Sequence, residues 1–136
     1  MTPEQIRLVR DSFTFIKPIA DEVASTMYTG LFARDPAARA LFPADMAALR
    51  ARFMTELEAI VTAIEDFPAF LARAGQLGAR HAAHGARPEH YRLMGEALLA
   101  ALAQHLGPRM TPEVEEAWRR AFRLVAEAMM LSAADA

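Results

Sequence analysis

Leu77-Gly78-Ala79-Arg80-His81-Ala82-Ala83-His84-Gly85-Ala86-Arg87-Pro88-Glu89-His90-Tyr91 holds three of the four histidines of the chain, beside a helix stop and a helix start. His81 lies four residues after Leu77 and eleven after Phe70. That spacing puts all three on one apolar helix face, which Gly85 is expected to end with a left-handed cap and Pro88 to follow with a new helix. An imidazole on a buried stripe needs a polar partner. From the residues alone it is either a core histidine bonded to a neighbouring carbonyl or a ligand, and the pattern leaves both open.

The chain has 136 residues and mass 15.0 kDa, a length that favours one domain over residues 1–136 with one substantial core. Hydrophobic residues make up 54%, with eight Phe and eight Met, above the roughly 45–50% of ordinary globular chains. Such large, adaptable side chains suit a core that lines a ligand, and equally a well-filled bundle. The formal net charge of −2 gives no reason to expect nucleic acid or an anionic membrane surface as partner. The absence of Cys excludes disulfides, thiolate metal sites and a nucleophilic thiol. No long apolar run suggests a signal peptide or a membrane span, so a cytoplasmic protein is expected.

Apolar residues recur at helical spacing almost throughout. Thr2-Pro3-Glu4-Gln5 has the form of a capping box with proline at the first helical position, ahead of Ile6, Val9, Phe13 and Ile16. Pro18 should break this helix near Lys17. Ile19, Val23, Met27, Tyr28, Leu31 and Phe32 form a second, and Asp35-Pro36 opens a short segment through Leu41 and Phe42 that Pro43 closes. Asp45 can cap a helix bearing Leu49, Phe53, Leu57, Ile60, Val61 and Ile64, which Glu65-Asp66-Phe67-Pro68 punctuates. The helix of His81 follows. Pro88 begins one with Tyr91, Met94, Leu98 and Leu102, ended by Leu106-Gly107-Pro108, and Thr111-Pro112 begins the last, with Val114, Trp118, Phe122, Val125 and Met129. No run alternates like a strand, so the reading is all-α with six to seven helices.

Three separated blocks carry a resemblance that spans nearly the whole chain. Leu77-Gly78-Ala79-Arg80-His81 with Gly85 and Tyr91 resembles the proximal segment of globins, especially bacterial single-domain haemoglobins, flavohaemoglobin globin domains and neuroglobin. Leu31-Phe32-Ala33-Arg34-Asp35-Pro36, leading to Leu41-Phe42-Pro43, is similar to the second globin helix and the corner after it. Leu106-Gly107-Pro108, Thr111-Pro112 and Ala117-Trp118 are similar to the loop and final helix of neuroglobin.

The resemblance implies a globin-like fold around a haem pocket, with haem b held without covalent attachment, since no Cys is present. His81 would be the axial iron ligand and Phe42 the aromatic wedge against the haem. Leu49 would occupy the distal-helix position, where many relatives have His or Gln; a slip of one residue gives Ala48 or Arg50 and restores neither. Phe53 would stand over the ring, Tyr28 would be the distal tyrosine that contacts the bound gas, and Arg52 would face a haem propionate or swing into the pocket. Leu77, Arg80 and Met94 would complete the cofactor-binding set, with His84 as a helix-end cation or a cover over a propionate. Tyr91 resembles the tyrosine that, in bacterial haemoglobins, joins a last-helix glutamate in bonding the proximal histidine; Ala133 stands where that glutamate would be. Met46 and Met54 read as packing, and His90 and His105 as surface residues.

The function implied is reversible binding of O2, CO and NO at a pentacoordinate ferrous iron, for oxygen binding and transport or for NO detoxification. No flavin or nicotinamide domain is recognised, so turnover would need an external reductase. A peroxidase-like or NO-dioxygenating enzyme and a haemless globin-fold interaction module are the alternatives, no catalytic residue is assigned, and a homodimer is left open.

Overall fold

Caps and prolines divide the chain into helices largely where their chemistry requires. Thr2 and Gln5 close a reciprocal capping box, the Thr2 hydroxyl accepting from the Gln5 amide at 3.1 Å and the Gln5 side chain from the Thr2 amide at 3.0 Å. The computed structural model describes residues 1–83 and 87–135, with side chains described outside 82, 83 and 132–135. Among the described residues there are six α-helices and no strand: α1 Pro3–Ile16, α2 Ala20–Arg34, α3 Ala47–Ala63, α4 Phe67–Ala83, α5 Pro88–Leu106 and α6 Pro112–Asp135.

Local departures from the expected boundaries have simple causes. Pro18 has no amide hydrogen to donate, so the junction tightens into a 3-10 turn, Lys17–Ile19, instead of opening into a loop. The short segment after Asp35 is a 3-10 helix, Pro36–Leu41, and stops before Phe42, whose backbone is extended. Asp35 gives it no side-chain cap. Asp45 does accept the Ala47 amide at 3.0 Å, and Asp66 accepts the Ala69 amide at 3.2 Å, so α4 starts at Phe67 inside the stretch expected to be a break. Gly107, with φ of 56°, ends α5 in a conformation that side chains rarely adopt. The expected cap at Gly85 lies outside the described residues.

Packing joins elements that are distant in sequence. α4 lies chiefly on α6, α2 on α5 and α1 on α6, with α3 crossing α2. Val9, Phe13, Ile16, Val23, Met27, Phe70, Leu102 and Trp118 are buried between them. Trp118 Nε1 donates to the Ser12 hydroxyl at 2.8 Å, and that hydroxyl lies 2.7 Å from the Leu8 carbonyl and 3.1 Å from that of Val9. The single hydroxyl proton serves one of these carbonyls while the oxygen accepts from the indole, so α1 and α6 are pinned by a satisfied buried bond.

At the crossing of α4 and α6, Gly78 allows backbone-to-backbone approach: a Cβ at that position would collide with the Met129 carbonyl. No helix among the described residues is long and apolar enough to cross a membrane. Gly78→Ala should therefore force α4 off α6 and cost about 1–3 kcal/mol of stability, read as an earlier midpoint in chemical denaturation. An unchanged midpoint would show that the crossing has slack.

Candidate functional site

The six helices do not close completely. They surround a cavity of about 550 Å³, within the roughly 300–1,000 Å³ typical of small-molecule and cofactor pockets. Its interior wall is apolar, formed by Leu31, Leu57, Ile60, Val61, Leu98, Trp118, Phe122, Val125 and Met129. Polar side chains on the wall are few: Asp45, Arg52, Glu56, Arg80, His81, His90 and the two tyrosines. Tyr28, Phe42, Leu49, Arg52, Phe53, Leu77, Arg80, His81, Tyr91 and Met94 all line this one cavity. His84 lies outside the described residues. Met46 and Met54 pack against or within the hydrophobic core and are not on the cavity wall.

His81 sits in the last described turns of α4. Phe70, Ala74 and Leu77 are buried as the stripe requires, but His81 is exposed, because here the stripe faces the cavity and its mouth instead of another helix. Its Nδ1 is 2.8 Å from the Leu77 carbonyl one turn back. A carbonyl oxygen can only accept, so Nδ1 carries the hydrogen, and Nε2, on the side of the ring away from the helix backbone, keeps its lone pair in the neutral ring.

Opposite elements supply the aromatic part. Tyr28 on α2 is 6% exposed. Its ring meets Phe42 edge-on at 5.6 Å and Phe53 at 5.9 Å, and stacks on Phe32 at 6.1 Å. Edge-to-face contacts of this kind hold ring orientation better than aliphatic packing does. Burial pushes the Tyr28 phenol up to about 12, so the hydroxyl remains a proton donor across the neutral range.

Tyr91 is different. Among the described residues its buried hydroxyl has no hydrogen-bond partner, and burial raises its pKa. The bond from His81 Nδ1 goes to Leu77, not to Tyr91. The tyrosine-to-histidine bond of bacterial haemoglobins is therefore not formed here.

Three features escaped the sequence reading. His90, expected at the surface, lines the cavity, and its Nδ1 accepts the Arg87 amide at 2.9 Å; its place three residues after Arg87, at the start of a proline-led helix, was the available signal. His105 is also not a free surface residue, since its Nε2 lies 2.8 Å from the Thr26 hydroxyl. Glu56 reaches from α3 to α4, pairing with Arg73 at 2.8 Å and Arg80 at 3.6 Å, and nothing in its spacing marks it.

An all-α fold around an apolar cavity, with the oriented His81 imidazole on one wall and a buried phenol among rings on another, has the form of a helical protein suited to take up an apolar ligand. The family described as Globin matches residues 25–129, and the chain belongs to the globin family. It is 29% identical over 133 residues to a flavohemoprotein of Deinococcus radiodurans, covering 96% of this chain and 33% of that protein. A flavohemoprotein of Xylella fastidiosa is 31% identical over 132 residues, covering 92% of this chain and 32% of that protein. A globin-like protein of Aquifex aeolicus is 25% identical over 130 residues, covering 96% of this chain and 92% of its own length. The chain thus spans about a third of the length of the flavohemoproteins that it matches.

Membership of this family implies haem binding, and the residues present fit such a group. No cluster of three or more His, Cys, Asp or Glu side chains able to hold a bare metal ion occurs among the described residues. One imidazole with a free Nε2 suits instead a metal whose other ligands come from a macrocycle. The apolar walls suit its faces, and Arg52 and Arg80 on the cavity wall suit its carboxylates.

The Tyr28 environment also has a pH signature. Its pKa is raised in the fold, so the unfolded chain loses this proton first as pH climbs past about 10, and stability present below that point is lost as pH rises through the folded value of about 12. Between pH 9 and 11 this group should cost about 1 kcal/mol. Denaturant unfolding at the two pH values should show a smaller drop for Tyr28→Phe than for the wild type; equal drops would mean that Tyr28 is not the buried phenol.

Proposed function

We propose that this chain is a haem-b globin domain that binds diatomic gases reversibly, with His81 as the protein ligand to the iron. The observation that carries this reading is the His81 ring: Nδ1 is held by the Leu77 carbonyl at 2.8 Å, and Nε2 is left on a cavity with no second histidine before His81 in the sequence. When bound, the haem supplies a ferrous iron with one open position for O2, CO or NO.

The rest of the work falls to this chain. Leu77 fixes the tautomer and rotation of the His81 ring through its carbonyl, as outer-shell partners do for metal-binding imidazoles. Phe42, Leu49 and Phe53 line the opposite wall with apolar groups and keep water from the gas. Tyr28 is the hydroxyl donor there, and a hydrogen bond made in a dry pocket is stronger than the same bond in water. It favours a ligand that gains negative charge on binding, which O2 does far more than CO. Arg52, Arg80 and His90 hold the propionate edge, while Leu77, Tyr91 and Met94 pack the proximal face.

Similarity to flavohemoproteins supports a second use of the same pocket, oxidation of NO to nitrate by bound O2. Each turnover would consume one NO, one O2 and one electron, which a reductase would have to deliver. A peroxidase-like role is favoured less. Nδ1 of His81 donates to a neutral carbonyl, which gives the imidazole less anionic character than a carboxylate partner would.

Visible spectra of the haem-loaded protein test the reading. A pentacoordinate, high-spin ferrous spectrum that shifts on addition of CO is expected, and a low-spin spectrum with two protein ligands would overturn it. His81→Ala should lose most of the haem and the stability that comes with it, since the group binds only the folded chain; full retention would assign the iron to another residue. Tyr28→Phe should raise the O2 dissociation rate about 10-fold, the worth of one hydrogen bond of about 1.4 kcal/mol, and leave the CO rate nearly unchanged. Equal effects on both gases would reduce Tyr28 to a space-filling ring.

A further inference from the structure

We propose that Arg39, which does not line the cavity, is the positioning residue for Tyr28, acting by gripping the two phenylalanines against which the tyrosine rests; this rests on the reading above that Tyr28 donates to the bound gas. Arg39 lies in the 3-10 segment Pro36–Leu41. Its Nη1 donates to the carbonyls of Phe42 at 3.2 Å and Pro43 at 2.8 Å, and its Nη2 to that of Ala44 at 3.1 Å. The same guanidinium lies 5.2 Å from the centroid of the Phe32 ring.

One planar group thereby fixes two things. It holds the non-helical backbone at 42–44 from which Phe42 projects, and it backs the ring of Phe32. Those rings meet edge to face at 5.4 Å, and each contacts Tyr28, at 6.1 Å for Phe32 and 5.6 Å for Phe42. Tyr28, Phe32 and Phe42 form a closed triangle, and Arg39 clasps the side opposite Tyr28. Residues 42–44 have no helical ladder to define them, so without the clasp Phe42 could change its angle and the tyrosine ring would lose one of its supports.

Lysine cannot replace this function. Its compact ammonium can reach one or two of the carbonyls, but it has no plane to stack on Phe32 and no fork to span three acceptors. Arg39→Lys therefore preserves charge and removes the geometry.

The test compares the wild type, Arg39→Lys, Tyr28→Phe and the double variant as haem-loaded proteins. For each, O2 and CO dissociation rates and the infrared C–O stretch of the CO complex are measured. Arg39→Lys should raise the O2 rate roughly 5-fold, equivalent to about 1 kcal/mol, with little change for CO, and should split or broaden a single C–O band as the hydroxyl samples several angles. In the Tyr28→Phe background the same substitution should leave the ratio of O2 to CO rates unmoved.

If Tyr28→Phe shifts that ratio but Arg39→Lys does not, the positioning role of Arg39 falls and the proposed gas-binding role of Tyr28 stands. If Arg39→Lys has the same effect with and without Tyr28, Arg39 acts through pocket volume and the inference is likewise overturned. If Tyr28→Phe itself leaves the ratio unchanged, both readings fall together. Should Arg39→Lys prove too unstable to load haem, Phe32→Leu, which removes the backed ring and keeps the loop bonds, must give the same ratio and band changes.

Discussion

The close approach of α4 to α6 at Gly78 is the constraint on which the pocket depends. His81 lies three residues further along α4, so the depth at which that helix sits on α6 sets where the imidazole stands on the cavity wall. A side chain at Gly78 would collide with the Met129 backbone, and Met129 also lines the cavity. The contact that seats the helix is therefore continuous with the wall that the histidine faces. Leu77, between the two, contributes twice: its side chain lines the cavity and its carbonyl takes the Nδ1 hydrogen. Within five residues the chain seats the helix, shapes the wall and orients the donor.

Holding a cavity open costs apolar contacts that a filled core would have made, so its walls must be stiff. Two different devices supply this. On the side of α1 and α6, the Trp118–Ser12 bond fixes one of the largest side chains of the lining. On the side of α2 and α3, stiffness comes from rings meeting edge to face around Tyr28. The ion pairs that join the helices contribute less. Arg50 with Asp21 and Lys17 with Glu58 include largely exposed partners, and such pairs stabilise by only about 0–1 kcal/mol. The aromatic wall is the more informative one chemically, because it surrounds the Tyr28 hydroxyl.

Most of this was legible in the sequence, for identifiable reasons. Helix starts at Pro3, Pro88 and Pro112 follow from residues whose chemistry is local, and apolar periodicity named Tyr28, Leu77, Trp118 and Met129 as inward-facing. The resemblance around His81 then placed Phe42, Leu49, Arg52 and Phe53 on what proves to be one cavity. What stayed hidden depends on the third dimension. Glu56 occupies an ordinary charged position on α3 and becomes a pocket residue only because α4 brings Arg73 and Arg80 to it. Arg39 reads as one more surface cation in a proline-led turn. His90 and His105 read as polar ends of a helix, although one faces the cavity and the other meets Thr26 on α2. Exposure of His81 was missed because periodicity reports which face of a helix is apolar, not whether a neighbour or an opening covers it.

The two sides of the pocket also differ in the polar groups they present. On one side the His81 ring is tied to a neutral carbonyl and, among the described residues, the Tyr91 hydroxyl has no hydrogen-bond partner. Among the described residues no carboxylate bonds that ring, and a neutral carbonyl leaves an imidazole less anionic than a carboxylate partner would. On the other side Leu49 offers no hydrogen bond, and the Tyr28 phenol is the polar group held among rings. Edge-to-face contacts hold the direction of that hydroxyl better than aliphatic packing would. Under the proposed gas-binding reading, a neutral partner on the His81 ring and one phenol among rings would suit a pocket that retains O2 intact, and the angle of that phenol would set how long it stays.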